Sequence, residues 1–259
     1  MDFEIGTLVT RKSHNHDTVF EITDIIENTC YLKGVNMRLL ADSLVDDLKV
    51  YDDNDEEEKK FEARIKPKFE LNRDDYFYIP GKILHIDGDT TYLNRCLEYY
   101  KEANIWAKGI TEVEENIPLH IKDWLIEYNP NIIVITGHDA YYKKKGNSDN
   151  INNYKNSKNF VDAVREARKF EKSHDKLIII AGACQSDYEE LIKAGANFAS
   201  SPKRINIHAL DPAIIATRMS LSDASREIDL KGIIENTKYG KNGMGGVITK
   251  GTMYIGYPR

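Results

Sequence analysis

The chain has 259 residues, 41% hydrophobic and 30% charged, a soluble globular composition with room for one large or two small domains. Its net charge of −6 is uneven: residues 1–50 carry 5 Lys/Arg against 9 Asp/Glu, residues 51–75 carry 6 against 10, and the remainder 25 against 23. An acidic N-terminal part lacks the clustered cations that phosphate neutralisation needs, so nucleic acid is discounted as a partner; no apolar run approaches the ~20 residues of a membrane span.

The opening "MDFEIGTLVTRK" lacks the charged-then-apolar layout of a secretory signal. Cys30, Cys96 and Cys184 are widely spaced and odd in number, which points to a reducing compartment rather than a disulfide framework.

Residues 1–50 read as a β-rich unit. "FEIGTLVTRK", "TVFEITDII" and "TCYLKG" are short alternating runs between polar turns, and a small β-barrel is expected. His14 and His16 fall in one of those turns with no third ligand near, so they read as loop histidines and not as a metal site. Residues 51–75, which open "YDDNDEEEKKFEAR", are too charged to bury much surface and read as an acidic linker or solvated helix.

Residues 76–259 read as an α/β domain. "GKILHIDGD", "IWAKGI", "NIIVITGHD" and "KLIIIAGACQS" are strands. "TTYLNRCLEYYKEAN", "IPLHIKDWLIEYNP", "NFVDAVREARKFEKSHD" and "DYEELIKAGA" have helical spacing, the last with Gly195 at its C-terminal cap. This alternation predicts a mostly parallel sheet covered on both faces, a Rossmann-like three-layer sandwich. Right-handed crossovers then align the carboxyl ends of the strands on one rim, where open α/β sheets bind ligands.

Three stretches meet on that rim: Asp87 and Asp89, then Gly137–His138–Asp139, then Gly182–Ala183–Cys184. A thiol becomes a nucleophile beside a base, and His138 ends one strand as Cys184 ends another. A lone free cysteine is most often inert core, the reading taken for Cys30 and Cys96; the matching histidine sets Cys184 apart. The backbone N–H groups of Cys184 and Asp139 are candidates for an oxyanion hole. The polar loop 140–158 is expected beside the site.

Among the other histidines, His85 and His120 read as packing residues and His174 as a cation at a helix C-terminus. His208, in "INIHALDP", is the rival base. Asp87 and Asp89 are either helix-start acids or carboxylates for a cationic substrate group. "KYGKNGMGG" reads as a mobile glycine-rich loop. Two other functions stay open: a phosphoacceptor domain with Asp139 as acceptor and Asp87 and Asp89 on Mg²⁺, and a non-catalytic scaffold.

An apolar strand ending in His, then an apolar strand ending in Ala-Cys, resembles the caspase-like (clan CD) cysteine peptidases. A longer likeness, over nearly the whole chain, is to the YabG family of sporulation-specific cysteine proteases. It rests on "IGTLVTRKSHNHD", "YLKGVNMRLLADS", "ITGHDAYYKK", "IIIAGACQSDYEELIKAGANFASSPKRINIHALDP" and "KYGKNGMGG". The resemblance implies a caspase-like fold, a Cys184–His138 catalytic pair and no cofactor. It implies cleavage after Arg, self-cleavage, and processing of spore coat and germination proteins, the protein being cytoplasmic in the sporulating mother cell and associated with the coat. An Arg-directed protease needs an acid opposite the guanidinium, for which Asp87, Asp89 and then Asp211 are candidates. Arg259 fits either the product end of self-cleavage or an ordinary chain end.

Overall fold

The structure, a computed structural model, describes residues 3–51, 56–66, 71 and 75–258. It divides into two compact units, Met1–Ala63 and Arg64–Arg259.

The first unit holds β1 (Leu8–Arg11), β2 (Phe20–Ile26), β3 (Thr29–Gly34), β4 (Leu40–Leu44) and β5 (Leu48–Val50) in one antiparallel sheet ordered β4-β3-β2-β1-β5. Alternation aims Phe20, Ile22, Cys30 and Leu32 at one face, where they pack with Val9 and Leu48. No ladder joins β4 to β5 among the described residues, so the expected barrel is seen as an open antiparallel sheet. His14 and His16 bond locally, to Ser13 Oγ at 2.9 Å and Thr10 Oγ1 at 2.7 Å. In the acidic stretch, α1 (Glu56–Ile65) has three glutamates in its first turn and Arg64 in its last, the arrangement a helix dipole favours. Residues 52–55, 67–70 and 72–74 of that stretch, and Arg259, lie outside the described residues.

The second unit runs β6 (Phe77–Ile79), β7 (Ile83–Asp87), α2 (Thr90–Glu102), β8 (Ala107–Thr111), α3 (Ile117–Tyr128), β9 (Ile132–Thr136), α4 (Ser157–Phe170), β10 (Ile178–Ala181), α5 (Tyr188–Ala194), β11 (Phe198–Ser200), α6 (Asp211–Ser220), α7 (Leu230–Glu235), β12 (Met244–Gly246) and β13 (Tyr254–Gly256). Its main sheet is ordered β12-β11-β10-β9-β7-β8, parallel except for the edge strand β12; β6 pairs separately with β13. All five residues of β7 and of β9 are buried, which is why both are mostly aliphatic, with His85 and Asp87 the buried polar residues of β7. Each buried Ile or Leu contributes roughly 1.5–3 kcal/mol.

Leu84, Ile86, Ile133, Ile135 and Ile179 face α3, α4 and α5, through Ile121, Leu125, Phe160, Val164 and Leu191. On the opposite face lie α2 and α6, where His85 Nδ1 is 2.8 Å from Tyr100 Oη and Cys96 Sγ donates to Ala209 O at 3.5 Å. Helices thus cover both faces of a mixed α/β fold. Among the described residues, no helix is long and apolar enough to cross a membrane.

Two expectations need correcting. "KYGKNGMGG" does not form a loose loop: its end is β12, which pairs with β11 through Phe198↔Gly246 and Ser200↔Met244. The cation at the end of α4 is Arg168, whose guanidinium donates to the carbonyls of Glu171, Ser173, Leu177 and Gly195. Burial and then the Arg168 charge push the His174 imidazole below its ordinary pKa.

Candidate active site

The sheet order fixes where a site forms. From β7 the chain passes to β8 on one side, then returns through β9 to build outward on the other. The carboxyl ends of β7 and β9 therefore flank the reversal in strand order, where open α/β sheets leave a crevice.

The register aligns the groups that leave this rim. Ile135 pairs with Ala181, and one residue further Thr136 Oγ1 donates to Gly182 O at 2.9 Å. His138 lies two residues beyond Thr136 and Cys184 two beyond Gly182, so each follows its strand by a similar stretch of chain.

His138 is held from several directions. Its N–H donates to Glu114 Oε1 at 2.7 Å, its C=O accepts from Asn156 Nδ2 at 2.8 Å, and its Nε2 is 3.1 Å from Asp89 Oδ2. The ring meets Tyr92 edge-on, with centroids 5.9 Å apart. Asp89 is the N-cap of α2: its Oδ1 accepts from Thr91 N at 2.9 Å and Tyr92 N at 3.4 Å, and its own N–H donates to Asp87 Oδ1 at 3.0 Å. One carboxylate thus ties the start of α2 to the imidazole. Gly88 and Gly137 admit Glu114, because a Cβ at either would lie 2.3 Å from Glu114 Oε1.

Cys184 sits in a tight turn after β10 and is fully buried, so it does not face open solvent at the rim as its position in the sequence suggests. Its Sγ accepts from Ile207 N at 3.3 Å and lies 3.7 Å from Ile207 O. The turn needs left-handed backbone at Gly182 (φ 101°) and Gln185 (φ 58°). It is fixed by Ala183 N donating to Ser186 Oγ (2.9 Å), Ser200 Oγ to Ala183 O (2.7 Å) and Gln185 N to Ser201 Oγ (3.0 Å). The 140–158 loop does run beside it, since Tyr141 N donates to Gln185 Oε1 at 3.2 Å. Arg204 ties that loop to the next one, bonding Tyr154 Oη at 2.6 Å and Asp187 Oδ1 at 3.2 Å.

Asp139 is buried, and burial pushes its carboxyl above the ordinary range against the opposing bonds from Ser157, Asn156, Ser186 and Ala140. The Asp139 N–H has no acceptor among the described residues. Asp87 is buried at the end of β7, its Oδ2 3.7 Å from His85 Nε2. Asp211 is fully enclosed: Oδ1 accepts Lys238 N at 2.7 Å and Oδ2 accepts His208 N at 2.9 Å. His208, the rival base, is buried, and its Nδ1 accepts Leu210 N at 3.1 Å, which puts the proton of the neutral ring on Nε2.

Glu114 is the acid that the sequence did not single out. It lies in a loop among other acids, and only packing against two glycines from different strands marks it. Its Oε2 has no hydrogen-bond partner among the described residues.

Known proteins match along the whole chain. The family profile described as YabG peptidase U57 matches residues 4–71 and 58–258. The sporulation-specific protease YabG of Bacillus subtilis (strain 168) is 41% identical over 287 aligned positions, covering 100% of this chain and 99% of that protein. The chain therefore belongs to the YabG peptidase U57 family and is a sporulation protease.

Proposed function

We propose that the protein is a cysteine endopeptidase in which Cys184 is the nucleophile and His138 its base. The observation that carries this reading is the Asp89 Oδ2–His138 Nε2 pair, 3.1 Å apart, at the switch in strand order, with Cys184 in the turn that follows the neighbouring strand β10. Asp89 engages Nε2, and Nδ1 is assigned to the thiol proton. The thiolate attacks the scissile carbonyl carbon, His138 protonates the leaving amine, and water cleaves the thioester. The N–H groups of Asp139 and Cys184 receive the oxyanion. The main-chain contacts of Ile207 on Sγ are broken or shifted when substrate enters.

Cleavage follows Arg. Asp87, Asp89 and Glu114 supply negative charge at the rim, and Glu114 Oε2 is open to a guanidinium. Asp211, another candidate, has both oxygens engaged by backbone N–H groups and supports the His208 turn. The substrates are spore coat and germination proteins and the enzyme itself, in the mother cell and at the coat. A phosphoacceptor role is disfavoured because the Asp139 carboxylate already accepts four hydrogen bonds.

An Arg-containing peptide library, digested by the full chain and read by mass spectrometry, tests this. Cys184→Ala and His138→Ala are expected to be folded and inactive, with alkylation blocking the native enzyme and chelators without effect. An active Cys184→Ala enzyme refutes the mechanism; cuts elsewhere than after Arg refute the specificity.

A further inference from the structure

We infer that the Asp139 side chain, acting through Ser186, is the positioning element that holds the Cys184 turn against the His138 strand; this rests on the thiol reading above.

The Asp139 carboxylate gathers three parts of the fold. Oδ1 accepts Asn156 N at 2.7 Å and Ala140 N at 2.8 Å; Oδ2 accepts Ser157 Oγ at 2.5 Å and Ser186 Oγ at 2.8 Å. Asn156 donates in turn to the carbonyl of His138. Ser186 Oγ accepts the N–H of Ala183, the residue before Cys184. A continuous hydrogen-bonded path therefore runs from the His138 carbonyl through Asn156, Asp139 and Ser186 to the N–H of Ala183, the residue before Cys184.

The donor pattern suits an acceptor-only carboxylate, with two donors on each oxygen. Each serine hydroxyl has one proton, given to Oδ2, while its lone pair takes a backbone N–H, Ala183 for Ser186 and Asp187 for Ser157. An amide nitrogen in place of Oδ2 cannot accept the two hydroxyl protons, and the flipped amide sets NH₂ against the N–H groups of Asn156 and Ala140 instead. Asn is therefore a poor substitute despite its shape. Ser157 serves as an internal comparison, because it bonds the same oxygen but leads to Asp187 rather than to the cysteine.

The test compares Ser186→Ala, Ser157→Ala and Asp139→Asn in the full chain by thermal unfolding, by kcat and KM on an Arg peptide, and by the pH midpoint of Cys184 alkylation. Expected for Ser186→Ala is a melting temperature lower by roughly 3–8 °C, KM within about twofold, kcat lower by roughly 10- to 100-fold and an alkylation midpoint displaced from the native value. Ser157→Ala is expected to lose similar thermal stability with a smaller loss of kcat and an undisplaced midpoint. Equal displacement in both serine variants, or none in Ser186→Ala, overturns the inference. Asp139→Asn is expected to share the Ser186→Ala phenotype where it folds; the serine pair decides without it. Should Cys184→Ala stay active, the mechanism falls, yet the alkylation midpoints still decide the positioning role.

Discussion

Asp89 Oδ2 lies 3.1 Å from His138 Nε2 while Asp89 Oδ1 caps the first turn of α2. The two oxygens therefore do separable work, and substitution separates them. Asp89→Asn retains an acceptor for the helix cap but turns an N–H donor toward Nε2. The imidazole proton is then forced onto Nδ1, the nitrogen required for the thiol. Activity is expected to fall by roughly 10³- to 10⁴-fold, as for the wrong tautomer in other triads, with little change in urea stability. Asp89→Ala adds the loss of the cap, about 0.5–2 kcal/mol. Equal stability loss in both variants, with activity intact in the first, would place Asp89 in the cap alone.

Gly137 and Glu114 are coupled. A methyl at Gly137 would stand 2.3 Å from Glu114 Oε1, and the flexible Glu114 side chain is expected to swing away from it. The cost is then a lost acceptor for the His138 N–H, about 1–3 kcal/mol. Gly137→Ala and Glu114→Ala should each destabilise by that amount, and the double variant by little more than either. Additive losses in a double-mutant cycle would mean that the two act independently.

Gly182 has no flexible neighbour to move. It sits at φ 101°, and a Cβ would meet Ser200 Oγ at 2.4 Å and Leu191 Cδ1 at 2.8 Å. Gly182→Ala combines backbone strain with a clash, so a loss of at least about 2 kcal/mol is expected. Because the turn carries Cys184, its alkylation rate should change too. Wild-type stability in chemical denaturation would show that the turn relaxes.

Asp187 gives a pH signature. It is buried, its Oδ2 has no partner among the described residues, and burial pushes its carboxyl up against the opposing Glu190 N–H and Arg204 charge. The folded state therefore holds this proton more tightly than the unfolded chain. Its contribution is greatest below the unfolded value of about 3.9 and is lost as pH rises through the folded one. Asp187→Asn removes that titration, so the variant should gain stability relative to wild type between about pH 4 and the raised value. Urea unfolding at several pH values reads the difference; a pH-independent gap would contradict it.

Specificity has its own readout. Glu114→Gln removes the charge near His138 but leaves an oxygen for the His138 N–H. KM for an Arg substrate is expected to rise about tenfold or more, with kcat less affected, as when a charge-assisted bond is lost. An unchanged KM with Asp87→Asn raised instead would move the pocket to Asp87.

Much of the fold was legible because its signals are local. The mostly aliphatic runs of β9 and β10 read as strands buried on both faces, and Gly195 marks a helix end through chemistry within four residues. The chain after Gly195 was less legible. Nine of the ten residues of α6 are buried, so it has no polar face to reveal a helical period. The strand β12 is three residues long and glycine-rich, and only its pairing with β11 makes it a strand.

The site divides the same way. The order of residues alone put His138, Cys184, Asp87 and Asp89 at or just past the carboxyl ends of the strands, while the burial of Cys184 and Asp87 came only with tertiary packing. Which carboxylate meets which partner depended on three-dimensional packing. Asp89 turned to the imidazole, Asp211 to backbone N–H groups, and Asp139 became the node between two strands. Glu114 entered through a gap left by two glycines 49 positions apart. Hydrogen bonds between segments distant in the chain leave no periodic trace in the sequence, because they act over about 3 Å in space whatever the separation along the backbone.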